Sequence, residues 1–105
     1  MLADEYNVVS DKRLKHGIVT IPDALDKIIG LNGYLFTWNK NDERDMGIIA
    51  QEVEKVFPEI VRTHENGYKS VEYGNLVAPL IESIKTLDKQ IQEPQVKVDQ
   101  LEQKK

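Results

Sequence analysis

Cysteine is absent from this chain, and there are only two histidines. No disulfide can staple the fold, and no Cys/His cluster with zinc spacing is present, so no metal site is expected. No apolar run approaches the ~20 residues that a membrane-spanning helix needs. The opening residues MLADEYNVV lack the cationic start and long apolar stretch of an export signal. The expectation is therefore a soluble, unexported chain without a membrane partner, and the lack of cysteine fits a reducing cytoplasm. Positive charge is also short: 14 Lys and Arg stand against 18 Asp and Glu, for a net charge of -4. That balance argues against an electrostatic grip on nucleic acid or anionic lipid. There is no glycine-rich phosphate loop, no internal repeat and no low-complexity linker, and nothing points to a cofactor or a small-molecule substrate.

What remains is one small domain. A domain of 105 residues hides only roughly two-thirds of its unfolded surface, so its own core is marginal. With the disulfide and metal routes closed, oligomerisation is the remaining way to stabilise it.

Met1 to Val9 ends in the apolar pair Val8-Val9 and has neither caps nor a sustained period, which reads as an extended arm. Pro22 suits the first turn of a helix continuing through Asp23-Ala24-Leu25-Asp26-Lys27-Ile28-Ile29, with Gly30 as its stop. Tyr34, Phe36 and Trp38 alternate with Leu35 and Thr37, predicting a core strand with three rings on one face. A base-stacking platform would want basic neighbours, and Asp42, Glu43 and Asp45 follow instead. Met46, Ile49, Ala50, Val53, Val56 and Phe57 recur at helical spacing, predicting an amphipathic helix ended by Pro58. Asn66-Gly67 predicts a tight two-residue hairpin turn between Glu59–His64 and Tyr68–Tyr73.

Leu80, Ile84, Leu87 and Ile91 follow in steps of four and three, a heptad seam through which two or three such helices would zip. Pro94 falls on the seam and predicts that the coil ends or kinks near residue 92, although Val98 and Leu101 extend the spacing weakly. The expected organisation is an arm over 1–9, a domain over 10–92 with its C-terminal helix from about 76, and a polar tail over 93–105. The fold class is α+β: short antiparallel strands, two short helices and a coiled-coil-like C-terminal helix.

Ser10-Asp11-Lys12-Arg13-Leu14-Lys15 holds the one nucleophile and base that are neighbours in sequence. Two readings stay open on these residues alone. In one, Ser10 or Asp11 caps a turn and the cations form a solvated face. In the other, Lys15 takes the hydroxyl proton of Ser10, which requires an amine that has lost its own proton. Like charge from Lys12 and Arg13, and packing of the lysine stem on Leu14 or Ile18, would favour that loss. Five residues separate the pair, which is opposite faces of a strand and about 140° on a helix, so the segment must bend for them to meet. His16 and His64 are the other acid-base candidates and read as surface residues. Glu52, Glu54 and Glu59 read as the polar face and exit of the middle helix.

The blocks SDKRLK, LNGYLFTWN, GIIAQEVEKVFPEIV and KSVEYGNLVAPLIESIKTL occur in this order, and together they resemble the self-cleaving intramolecular chaperone domain at the C-terminus of phage endosialidase tailspikes and tail fibres. A related domain occurs in myelin regulatory factor, and the match covers roughly Ser10 to Ile91. The resemblance implies a homotrimer that gathers three chains, assists folding of an upstream β-structure of the same precursor, and is released by autoproteolysis in the host cytoplasm during virion assembly. It makes Ser10 the nucleophile and Lys15 the base, with Asp11, Arg13 and Leu14 shaping the motif and the break beside Ser10. The bond Val9–Ser10 is the expected scissile bond and Ser10–Asp11 the fallback. Gln51, Glu52 and Tyr73 fall in matching blocks without an assigned chemical role. The competing class is a trimerisation module in which SDKRLK is inert.

Overall fold

The computed structural model describes residues 7–103, with the side chains of 94–100 and 103 outside that description. Lys12–Leu14 forms a 3-10 turn, α1 spans Ala24–Ile29, β1 Tyr34–Thr37 and β2 Arg44–Gly47. Helix α2 follows over Ala50–Val56, then a 3-10 turn at Pro58–Ile60, β3 over Val61–Thr63 and β4 over Lys69–Val71. A last 3-10 turn, Tyr73–Leu76, leads into α3, Val77–Gln103. This is the mixed α+β class with short antiparallel strand pairs and a long C-terminal helix. Most of the arm, Met1–Tyr6, lies outside the described residues, and Asn7–Val9 have no regular structure.

Strands β1 and β2 pair antiparallel with Leu35 opposite Met46 and Phe36 opposite Asp45. Asp42, at φ 58°, turns the chain between them. Trp38 N–H donates to the Glu43 carbonyl at 2.9 Å, which closes the loop. The rings of Phe36 and Trp38 meet edge to face at 5.0 Å, so two of the three alternating aromatics are in contact, with Trp38 just beyond the end of β1. The expected core strand is not found: Leu35 is 66% exposed, and only Phe36 of β1 is partly covered. A two-stranded ribbon has one face at most to bury, and the cross-strand partners Leu35 and Met46 stay 66% and 71% exposed.

The expected helix from Met46 starts later. Met46 belongs to β2 and Ile49 only precedes α2, because cross-strand pairing with Leu35 takes Met46 and the chain must turn before a helix can begin. Within α2, Val53 is fully buried, and Phe57 just beyond it is 7% exposed. Pro58 stops the helix and opens the next turn. Helix α1 likewise begins two residues after Pro22, because Asp23 takes a left-handed conformation at φ 54°. Gly30 closes it, its N–H donating to the Asp26 carbonyl.

The β3–β4 hairpin forms, but its turn is longer than two residues. His64 N–H donates to Tyr68 O and Gly67 N–H to His64 O, each at 2.8 Å, leaving three residues at the tip. Of Asn66 and Gly67 only Gly67 takes positive φ, +87°, which matches a type I turn followed by a glycine bulge.

Helix α3 carries Pro79 in its first turn, where a backbone N–H has no partner to lose. The buried Ser83 hydroxyl donates to the Pro79 carbonyl at 2.7 Å, and α1 packs on this part of the helix. The helix does not end at residue 92 but runs through Pro94 to Gln103. Proline removes one hydrogen bond to the carbonyl four residues back, and Gln92, Glu93, Gln95 and Lys97 on either side are straight-chain residues that favour helix.

Ala24, Val53 and Phe57 are the buried apolar residues among those described. The radius of gyration is 19.5 Å, against roughly 13 Å for a compact chain of this length. One copy thus leaves most of its apolar side chains uncovered. On α3 the seam residues Leu80, Ile84, Leu87 and Ile91 are 43%, 65%, 44% and 72% exposed.

Candidate functional site

The turn at Lys12–Leu14 supplies the bend that the motif requires. Asp11 caps it, its carboxylate accepting the Arg13 N–H at 2.9 Å. Leu14 N–H donates to Asp11 O and Lys15 N–H to Lys12 O, both at 3.1 Å. Because a 3-10 turn closes in three residues, Lys15 comes back alongside Ser10, and Lys15 Nζ lies 2.7 Å from Ser10 Oγ. The next reversal is made at Gly17, φ +63°, a conformation that side chains with a Cβ disfavour.

Asp11 and Arg13 are locked to each other. The guanidinium donates to the carboxylate through Nε at 3.1 Å and Nη2 at 2.9 Å. Those side-chain bonds, followed by the backbone N–H, hold the Asp11 carboxyl below its ordinary range, and Asp11 in turn raises Arg13. Arg13 therefore spends its charge on Asp11 rather than on Lys15. Leu14 and Ile18 are 73% and 63% exposed, so within one chain neither covers the lysine. His16 is exposed, and His64 Nε2 pairs with Ser70 Oγ at 2.9 Å across the β3–β4 hairpin.

Ser10 and Lys15 open onto a groove of about 770 Å³. Val8 and Val9 run into it, and its apolar wall comes from Val19, Ile21, Phe57, Ile60, Val77 and Ile81. Lys27, Glu59 and Asn75 add polar groups. These three lie 12 to 60 residues beyond Lys15 in sequence, and no local pattern in the sequence signals that they meet it. The groove also contains the start of the seam helix, since Val77 and Ile81 belong to α3. The Ser10–Lys15 pair and the first turns of α3 thus border one groove.

The residues with no assigned chemistry hold the fold. Tyr34 Oη donates to both oxygens of Glu52, at 2.8 and 3.1 Å, and this bond raises the phenol above its ordinary value of 10.0. Tyr73 Oη accepts the Ile48 N–H at 2.9 Å, tying the entry to α3 onto the end of β2. Gln51 lines a second cleft beside Trp38. Glu54 pairs with Lys69 at 3.0 Å, joining α2 to β4. Among the described residues no group of His, Cys, Asp and Glu is arranged to hold a metal, and no helix is long and apolar enough to cross a membrane.

Residues 10–62, from Ser10 to β3, match the family described as "Chaperone of endosialidase", a peptidase family. The chain belongs to this family. The chaperone-of-endosialidase match begins at Ser10 itself. Curated relatives point the same way: the "Long tail fiber protein Gp37" of Enterobacteria phage K3 and that of phage T2 are each 35% identical over 105 residues, covering 91% of this chain and 8% of theirs. The Gp37 of Salmonella phage S16 is 31% identical over 100 residues, covering 85% of this chain and 13% of its own length. The chain therefore spans less than a seventh of these relatives. Family and relatives together support an assembly role associated with a tail fibre.

Proposed function

We propose that this chain is an intramolecular chaperone that trimerises a viral fibre or spike precursor, helps its upstream β-structure to fold, and is then released by its own Ser10–Lys15 dyad in the host cytoplasm. The observation that carries the reading is the 2.7 Å contact between Lys15 Nζ and Ser10 Oγ across a capped turn. Ser10 Oγ attacks the Val9 carbonyl while Lys15 takes the hydroxyl proton and returns it to the leaving Ser10 nitrogen. Water then opens the ester, leaving a carboxylate on Val9 and restoring the serine hydroxyl.

In a single chain Ser10 and Lys15 are both exposed. Burial disfavours a charged ammonium, so copies closing on the adjoining seam would supply what Leu14 and Ile18 do not. This orders the events: assembly first, cleavage second. An intertwined trimer needs many contacts between chains and faces a large closure entropy. Three chains zipped along α3 search for those contacts at high effective concentration. Once the zipper is cut away, the fibre is kept by its unfolding barrier.

The test is mass spectrometry on denatured protein from the trimeric fraction. Wild type should show a break beside Ser10 that Ser10→Ala and Lys15→Ala both abolish while the trimer persists. Cleavage persisting in both variants would refute the dyad and leave a non-catalytic trimerisation module.

A further inference from the structure

Acyl transfer to Ser10 drives negative charge onto the Val9 carbonyl oxygen, and a positioned donor there is worth far more in a closed groove than in water. Besides the dyad itself, the polar side chains lining the groove are Lys27, Glu59 and Asn75. Glu59 is a carboxylate and cannot donate when ionised. Lys27 holds its ammonium over the Phe57 ring, 5.7 Å from the centroid.

The Asn75 side chain is held rather than free. Its Nδ2 donates to Glu72 Oε2 at 3.0 Å, and the other oxygen of Glu72 receives Arg62 Nε at 2.6 Å. Its backbone N–H donates to the Glu72 carbonyl, and the Glu72 N–H in turn to the carbonyl of Ile60, another groove residue. An amide nitrogen carries two hydrogens, so one remains after the bond to Glu72.

We infer that Asn75 is a further catalytic residue, the donor that steadies the oxyanion formed when Ser10 attacks Val9. The inference rests on the dyad reading. It places the donor on the turn immediately before α3, so that the helix that gathers the chains also carries a part of the cutting site. In the step itself the Ser10 Oγ–Val9 C bond forms, the carbonyl electron pair moves onto oxygen, and Asn75 Nδ2–H donates to it. The pair returns as the Val9 C–Ser10 N bond breaks and the nitrogen takes the proton held by Lys15. Water addition to the ester passes through a second oxyanion at the same place.

The experiment compares first-order cleavage rates of trimeric wild type, Asn75→Ala, Asn75→Asp and Lys27→Met, with Ser10→Ala and Lys15→Ala alongside, and repeats them in hydroxylamine, which opens the ester directly. Removing one oxyanion donor slows such reactions on the order of 10²–10³-fold. Asn75→Ala should show a loss of that order with and without hydroxylamine, while trimer content and melting temperature stay at wild-type values. Asn75→Asp should be at least as slow, since it places a carboxylate where charge develops. Wild-type rates in Asn75→Ala, a loss explained by missing trimer, or a comparable loss in Lys27→Met with Asn75→Ala unaffected would each overturn the assignment. If the two dyad variants are inactive and Asn75→Ala is not slowed, the assignment alone fails. If the dyad variants still cleave, both it and the dyad reading fail.

Discussion

Replacing Gly47 by alanine should destabilise the domain through a single atom of Tyr73. A Cβ built on Gly47 stands 2.5 Å from Tyr73 Oη, while Phe36 Cε1 at 3.5 Å and Tyr73 Cζ at 3.7 Å are ordinary contacts. The hydroxyl cannot simply swing away, because it accepts the Ile48 N–H at 2.9 Å. Overpacking of this kind costs about 1–3 kcal/mol, and forfeiting the hydrogen bond adds about 1 kcal/mol. Tyr73→Phe alone loses only the bond, so it should cost about 1 kcal/mol. In Gly47→Ala/Tyr73→Phe the clashing oxygen is gone, and the double variant should be about as stable as Tyr73→Phe. Denaturant unfolding at one fixed protein concentration measures all four corners of this cycle. The expected coupling is about 2–4 kcal/mol in the sense of rescue, because the hydrogen bond is lost in both single variants. Additivity within about 0.5 kcal/mol would refute the claim that Tyr73 clasps the end of β2.

The Tyr34 phenol is raised by its bond to Glu52, so the folded state holds that proton more tightly than the unfolded one. Its contribution to stability is complete below pH 10.0 and is lost as pH rises through the folded value. Ultraviolet titration should therefore show one tyrosine ionising late, and Tyr34→Phe or Glu52→Gln should remove that late step. On α3, Ile84→Asp puts a charge on a seam residue that is 65% exposed in one chain. Light scattering should report monomer, and cleavage should fall with the trimer. A trimer surviving Ile84→Asp would place the interface elsewhere.

Much of the fold was legible because it follows from short-range rules. The aromatic alternation found β1 but not its exposure. The spacing of Val53, Val56 and Phe57 found α2, and Pro58 found its end. The errors arose where two periods overlap or tertiary pairing decides. Met46 fits a helical spacing, yet pairing with Leu35 claimed it for β2. Pro94 removes one bond from α3 without ending it. The motif from Ser10 to Lys15 was visible as chemistry, and its need for a bend was met by an Asp11-capped turn. The rest of the groove was not visible. Lys27, Phe57 and Asn75 reach it from three separate segments, and the packing of α1 on α3 helps to bring distant stretches together.

Self-release requires the Ser10 hydroxyl and the Lys15 amine together to open the backbone next to them. The sharpest measurement is the intact mass of the released fragment, followed by chemical labelling of its α-amine. Loss of everything before Ser10, with a serine at the new amino end, is the predicted result, and Lys15→Ala should keep the full mass under the same conditions. A wild-type trimer that retains its full mass indefinitely, or a fragment that begins elsewhere than at Ser10 or Asp11, would contradict it.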